Sequence, residues 1–111
     1  MWILRDGEVL AAAEMADSLL ARNKGLIGRQ GYDGAFLIPH SRGALHSFGM
    51  RFSLDVAFLD RELAVVDTVH LAPWHITRPR RGCRTVLEAQ AGAFERWRLR
   101  PGDQLELHEP T

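Results

Sequence analysis

Cysteine is almost missing from this 111-residue chain: Cys83 is the sole thiol, so no intramolecular disulfide can form and no oxidising compartment is needed. Lysine is as scarce, with Lys24 standing alone among 14 basic residues, the rest arginine. Net charge is missing too, because 14 acidic residues balance the 14 basic ones. No global field therefore draws the protein toward nucleic acid or a membrane surface. No apolar run approaches the roughly 20 residues that cross a bilayer. The start, Met1-Trp2-Ile3-Leu4-Arg5-Asp6, lacks a basic stretch followed by an apolar one, so no signal peptide is expected and the expected location is the cytoplasm. Internal repeats, low-complexity tracts and long linkers are also missing, which leaves one domain over residues 1–111.

What is present is an ordinary globular composition, 46% hydrophobic and 25% charged. A chain of this length buries about two-thirds of its unfolded surface, enough for a core without staples. Asp6-Gly7 between the apolar stretches Trp2–Leu4 and Val9–Leu10 predicts a hairpin, since a type I′ turn needs positive φ at both central residues. Ala11 to Ala16 is ambiguous: alanine favours helix, its place after a hairpin favours a continued strand. Asp17 and Ser18 are helix-start residues, and a short helix over Ser18 to Lys24 ends at Gly25 and Gly28.

Ala35-Phe36-Leu37-Ile38 reads as a buried strand stopped by Pro39. Leu54–Leu59 and Leu63–Val69, joined by Asp60-Arg61-Glu62, make the clearest hairpin; apolar residues at both parities imply that both sheet faces are covered. Ala72 to Arg84, with two prolines and four arginines, reads as an exposed connection. Thr85–Ala89 resumes a strand, Ala91–Trp97 gives one or two helical turns, Pro101-Gly102-Asp103 turns the chain, and Gln104–Leu107 is a last strand. The expected fold class is α+β: a compact, β-rich single domain, a small mostly antiparallel sheet or barrel of six or seven strands with one or two short helices.

Four blocks together raise a resemblance. They are Arg22-x-x-Gly25-Leu26-x-Gly28-Arg29, His46-Ser47-Phe48-Gly49-Met50-Arg51-Phe52-x-Leu54-Asp55, Val86-Leu87-Glu88-x-x-Ala91-Gly92 and Leu99-x-Pro101-Gly102-Asp103. In this order and spacing the chain, over about Val9 to Leu107, resembles domain-of-unknown-function family 192. The resemblance implies a compact β-rich fold and no established reaction, so no catalytic residue carries over. The commoner family form has Phe-Trp-Met-Lys-Asn-Thr before Ile-Pro-Leu-Asp. Aligned on Asp55, His46 stands at its tryptophan, Ser47 at methionine, Phe48 at lysine, Gly49 at asparagine and Met50 at threonine, which marks a histidine-containing variant.

The candidate ligand-binding residues are Arg29, His46, Arg51, Asp55 and Glu88. His46, Arg51 and Asp55 could supply a base, an anion-holding fork and a carboxylate that orients the imidazole. The plainer reading has His46 capping loop backbone, Arg51 solvated and Asp55 accepting amide hydrogen bonds. Arg29 and Glu88 could share that pocket, or form one structural ion pair between helix and strand, and the second reading is preferred. His40, His46, His70 and His75 match no metal-ligand spacing, and neither a metal nor another cofactor is expected. Cys83, among arginines, reads as an incidental exposed thiol. Trp74 and His75 beside the arginines could stack on a base, but four arginines on a neutral chain point away from nucleic acid. Trp2 and Trp97 are expected to pack on the sheet, and Met50 to fill core.

Three functions stay open. The preferred one is a non-catalytic binding or accessory module that presents residues 46–55 to a small anionic ligand or a protein partner. The second is a small hydrolase-like enzyme with His46 as base. A structural or assembly role stands behind both. No membrane partner is expected.

Overall fold

The structure, a computed structural model, describes residues 1–16 and 31–109. The predicted helix over Ser18 to Lys24 and the candidate Arg29 lie outside the described residues. In chain order the strands are β1 (Trp2–Arg5), β2 (Glu8–Met15), β3 (Ala35–Pro39), β4 (Leu45–His46), β5 (Leu54–Leu59), β6 (Val65–Leu71), β7 (Ile76–Thr77), β8 (Thr85–Gln90) and β9 (Glu106–His108). One short helix, α1 (Ala93–Trp97), follows β8.

Seven strands form a mixed sheet in the order β6-β5-β8-β3-β2-β1-β9, and β4 pairs with β7 in a separate ribbon. The Asp6-Gly7 turn has positive φ at both residues, 53° and 79°, as a hairpin of this kind requires. The ambiguous alanines after it continue as strand, with Ala11 and Ala13 half-buried and Ala12 and Glu14 exposed. Pairing to β1 on one side and to β3 on the other overrides alanine's weak helical preference. The clearest predicted hairpin forms as β5 and β6, and the Asp60 carboxylate receives the amides of Glu62 and Ala64 to shape its turn.

The sheet curls until its two edges meet. Val65 N–H donates to the Asp103 carbonyl at 2.8 Å, Leu105 N–H to Leu63, and Gly102 N–H to Val65, around a bridge between Ala64 and Gln104. Gln104 is thereby drawn to β6, so the last strand begins two residues later than the sequence suggests. Inside this partly closed barrel Ile3, Leu37, Ala57, Leu59, Leu87 and Ala89 pack with Phe94 of α1, Leu99 and Leu105. Alternation along the same strands sends Phe36, Ile38, Leu54, Val56, Phe58 and Val86 to the outer face, where Met50, Cys83 and Leu45 cover part of it. Burying each such Leu, Ile or Phe contributes about 1.5–3 kcal/mol.

Two expectations for aromatic and thiol groups need correction. Trp2 remains 44% exposed, because it sits on β1 opposite the small Ala12 and the exposed His108. Cys83 is fully buried, with its Sγ directed at the Ser41 carbonyl at 3.3 Å. The chain around it is exposed but carries β7 and folds back over the barrel, so the thiol points inward and its burial raises its pKa. Trp97 packs against the inner core and Met50 against the outer one, as expected.

Candidate functional site

The outer face of the barrel carries a small lobe built from two distant segments. Its seam is the β4–β7 pair, with Leu45 opposite Thr77 and His46 opposite Ile76. Leu45 packs toward the core, while His46 and Ile76 point outward, Ile76 being 64% exposed. Gly43 lets the lobe approach the barrel: its φ is 106°, and a Cβ there would stand 2.8 Å from the Phe58 ring. Arg80 lies over the same ring at 4.5 Å. Its guanidinium also pairs with Asp67 at 2.8 Å, holding that carboxyl below its ordinary pKa through the hydrogen bond.

Ser47 locks the lobe from beneath. It is 1% exposed; its N–H reaches the His75 carbonyl, and its carbonyl receives both Met50 and Trp74 N–H. Its hydroxyl donates to the Ala72 carbonyl at 2.6 Å and accepts His75 N–H at 2.9 Å. These bonds hold Trp74 at φ 63°, a left-handed conformation that bulky side chains rarely adopt, and they leave its ring 67% exposed. The Phe48 ring, 45% exposed, stacks on Trp74 at 5.9 Å and 28° on one hand and on His46 at 4.8 Å and 22° on the other. A surface stack of three rings results.

His46 thus belongs to β4 and to this stack. Its Nδ1 accepts Phe48 N–H at 3.2 Å, so a neutral ring carries its proton on Nε2. Asp55 is engaged elsewhere. It lies on β5 opposite Ala89 and His70, and its Oδ2 accepts Gly92 N–H at 2.9 Å and Phe94 N–H at 3.1 Å at the start of α1. Among the described residues no hydrogen bond joins it to His46. Arg51 is exposed on the loop leading to β5.

Glu88 lies on β8 between Phe36 and Val56, two apolar cross-strand neighbours, and burial pushes its carboxyl up to about 7. Four of the five candidates lie among the described residues, and they stand on different elements: His46 and Arg51 on the lobe, Asp55 at the α1 end, and Glu88 on the barrel wall. A shallow depression of about 560 Å³ lies beside Asp55, lined also by Thr68, His70, Gly92 and Glu95. No three His, Cys, Asp or Glu side chains converge among the described residues. No helix among them is long and apolar enough to cross a membrane.

Sequence reasoning found His46 but missed Phe48, Trp74 and Ile76 as its neighbours. The two segments lie some thirty positions apart, and only their strand pairing reveals the ring stack. Trp74 beside His75 in an acid-free stretch was the one available signal.

By its fold the protein is a single-domain, β-rich α+β protein: a seven-stranded mixed sheet curled around one core, with a two-stranded lobe on its flank. The profile of the family described as "Uncharacterized ACR", a domain of unknown function, matches residues 2–107, and the chain belongs to that family. A UPF0127 protein of Pyrococcus abyssi is 34% identical over 97 residues, spanning 84% of this chain and 83% of the relative. A UPF0127 protein of Pyrococcus horikoshii is 33% identical over 105 residues, spanning 91% and 88%. Among solved structures, a protein of unknown function from Novosphingobium aromaticivorans superposes with a TM-score of 0.76 at 22% identity, covering 86% of this chain and 74% of that one. A putative transcription regulator from Sinorhizobium meliloti gives the same TM-score at 24% identity, covering 85% and 79%. At these identities the two structures speak for the fold alone.

Proposed function

We propose that this protein is a non-catalytic binding module and that the lobe built on residues 40–53 and 72–84 is its recognition surface. The observation that carries the reading is the exposed stack of His46, Phe48 and Trp74, held by a buried serine. Left to the hydrophobic effect alone, rings of this size would be buried; here hydrogen bonds and a left-handed backbone keep one of them outside. Exposed planar rings on a rigid support are suited to a ligand or partner that covers them.

The hydrolase reading has less support. His46 Nδ1 is taken by Phe48 N–H, the carboxylate meant to orient it accepts amides at the start of α1 instead, and the neighbouring Ser47 hydroxyl is buried and bonded to Ala72 and His75.

The test is a thermal-shift screen of the protein against anions, nucleotides, divalent metals and small metabolites, repeated on Trp74→Ala and His46→Ala. A ligand present at 100 times its dissociation constant adds about 2.7 kcal/mol, a rise in midpoint well above ~5 °C for a domain this size. Hits abolished in both variants support the reading. Hits that both variants keep would place the binding surface elsewhere and overturn it.

A further inference from the structure

The lobe has a charge pattern that neither of its segments displays alone. Residues 40–53 contain Arg42 and Arg51 and no acid; residues 72–84 contain Arg78, Arg80, Arg81 and Arg84 and again no acid. Pairing of β4 with β7, and a 2.9 Å hydrogen bond from Arg80 N–H to the Arg42 carbonyl, join the two segments into one surface. All 14 acids of the chain therefore lie elsewhere. A protein with no net charge is divided into a cationic lobe and an acidic remainder.

Of the six guanidinium groups, Arg80 alone has a carboxylate partner among the described residues. Arg42, Arg51, Arg78, Arg81 and Arg84 are exposed. With Leu45 turned to the core, Ala44, His46, Ile76 and Arg78 are exposed. Arg42 and Arg78 flank the short strands that carry His46 and Ile76, and Arg51 follows Phe48 by three residues.

We infer that the lobe binds unpaired nucleic acid, with a base stacked against the outer face of the Trp74 ring and phosphates held by the arginines. The inference rests on the lobe being the recognition surface and adds the chemistry of what it recognises. A neutral apolar ligand would have no use for five exposed guanidinium groups without carboxylate partners among the described residues. An acidic peptide would satisfy the guanidinium groups but offers no planar faces to a stack of near-parallel rings. Unpaired bases offer both features, and a duplex hides its base faces within its own stack. Sequence reasoning set nucleic acid aside because the chain is neutral and its arginines look scattered; the fold gathers six of them.

The experiment is fluorescence anisotropy with end-labelled oligo(dT) and oligo(rA), with the matching duplex and a polyglutamate peptide as competitors. Saturable binding to the single strands is expected at about 50 mM salt, weakening roughly 20-fold by about 200 mM if three phosphates are neutralised. Trp74→Ala should weaken binding by about 5- to 150-fold, the loss of one stacked base. Arg42→Ala or Arg78→Ala should each lower the salt slope by about 0.7. All three side chains are exposed, so each variant should keep the melting temperature of the parent.

Absence of saturable binding at low salt overturns the inference. So does duplex binding as tight as single-strand binding with Trp74→Ala silent, which would mean a diffuse cationic surface. Polyglutamate that displaces the oligonucleotide and itself binds in a Trp74-dependent manner also overturns it, but leaves the lobe standing as a recognition surface. If the ligand screen and every oligonucleotide leave the lobe untouched, both readings fall together.

Discussion

The α1 end of the barrel and the β4–β7 lobe use the same kinds of residue in opposite ways. At the α1 end, charged side chains are consumed by the fold. Asp55 receives two amides at the start of α1. Arg5 donates to the carbonyls of Trp97 and Arg98 at its end and pairs with Asp103 at 2.9 Å, and Asp103 also receives Arg100 N–H. In the lobe the inner side is satisfied just as fully, through Ser47, Thr77 and Gly43. Its outer side is not: three rings and five guanidinium groups face water. On the binding reading proposed above, this contrast separates the part of the molecule that serves the fold from the part that meets a ligand.

The largest expected effect is at the joint between lobe and barrel. Gly43→Ala places a Cβ against the Phe58 ring and forces an L side chain to φ 106°. Overpacking and backbone strain together should cost roughly 4 kcal/mol. Urea denaturation should show the loss, with the ring stack displaced along with it. A loss below about 1 kcal/mol would mean that the lobe yields freely and does not present its rings rigidly.

Glu88 tests the barrel wall. Its carboxyl ionises near 7 when folded against an ordinary 4.5, so the folded state holds the proton more tightly. Stability from this group is therefore present in full below about 4.5, declines as pH rises, and is lost above 7. The shift corresponds to at most about 3 kcal/mol, and partial exposure brings the expectation nearer 2. Glu88→Gln should remove this slope, and the variant should exceed the parent at pH 8 by more than at pH 5. Equal slopes for the two proteins would show that folding leaves the carboxyl's pKa unchanged, and burial would then not act on it.

Asp55→Ala and Ser47→Ala compare the two regions directly. Each leaves two backbone groups without their partner, and each should cost about 1–3 kcal/mol. Only Ser47→Ala should also disturb the ring stack. Measured in a Trp97→Phe background, so that the tryptophan of α1 does not contribute, fluorescence should shift in Ser47→Ala and stay unchanged in Asp55→Ala.

How much of this was legible beforehand follows from the range of the interactions. The two main hairpins rest on local chemistry, Asp6-Gly7 and the Asp60 turn, and were readable from a few residues. Ala35–Ile38 and Thr85–Ala89 were readable from their apolar runs, and both prove to be inner strands of the sheet. The barrel closure at Ala64 and Gln104 was not, because neither residue signals a partner forty positions away. Cys83 was misread for a related reason: its immediate neighbours are polar, and its burial depends on Ser41 and the outer core. His46, Arg51 and Asp55 stand within ten residues of one another in the sequence, whereas the strand register sends His46 to the lobe and Asp55 to the start of α1.

Trp74→Ala should have the smallest effect on stability and bears most on the comparison. Its ring is 67% exposed and touches the fold through Phe48 alone among the stacked rings, while its backbone is held by the Ser47 carbonyl, which an alanine would keep. Alanine tolerates φ 63° no worse than tryptophan, so the strain remains as it was. The midpoint in urea should therefore change by no more than about 0.5 kcal/mol. Such an outcome would agree with the proposal that this exposed ring serves a ligand and not the fold. If the variant instead loses 2 kcal/mol or more, on the scale of a buried aromatic, the rings are a support for the lobe itself and the contrast between the two ends of the molecule disappears.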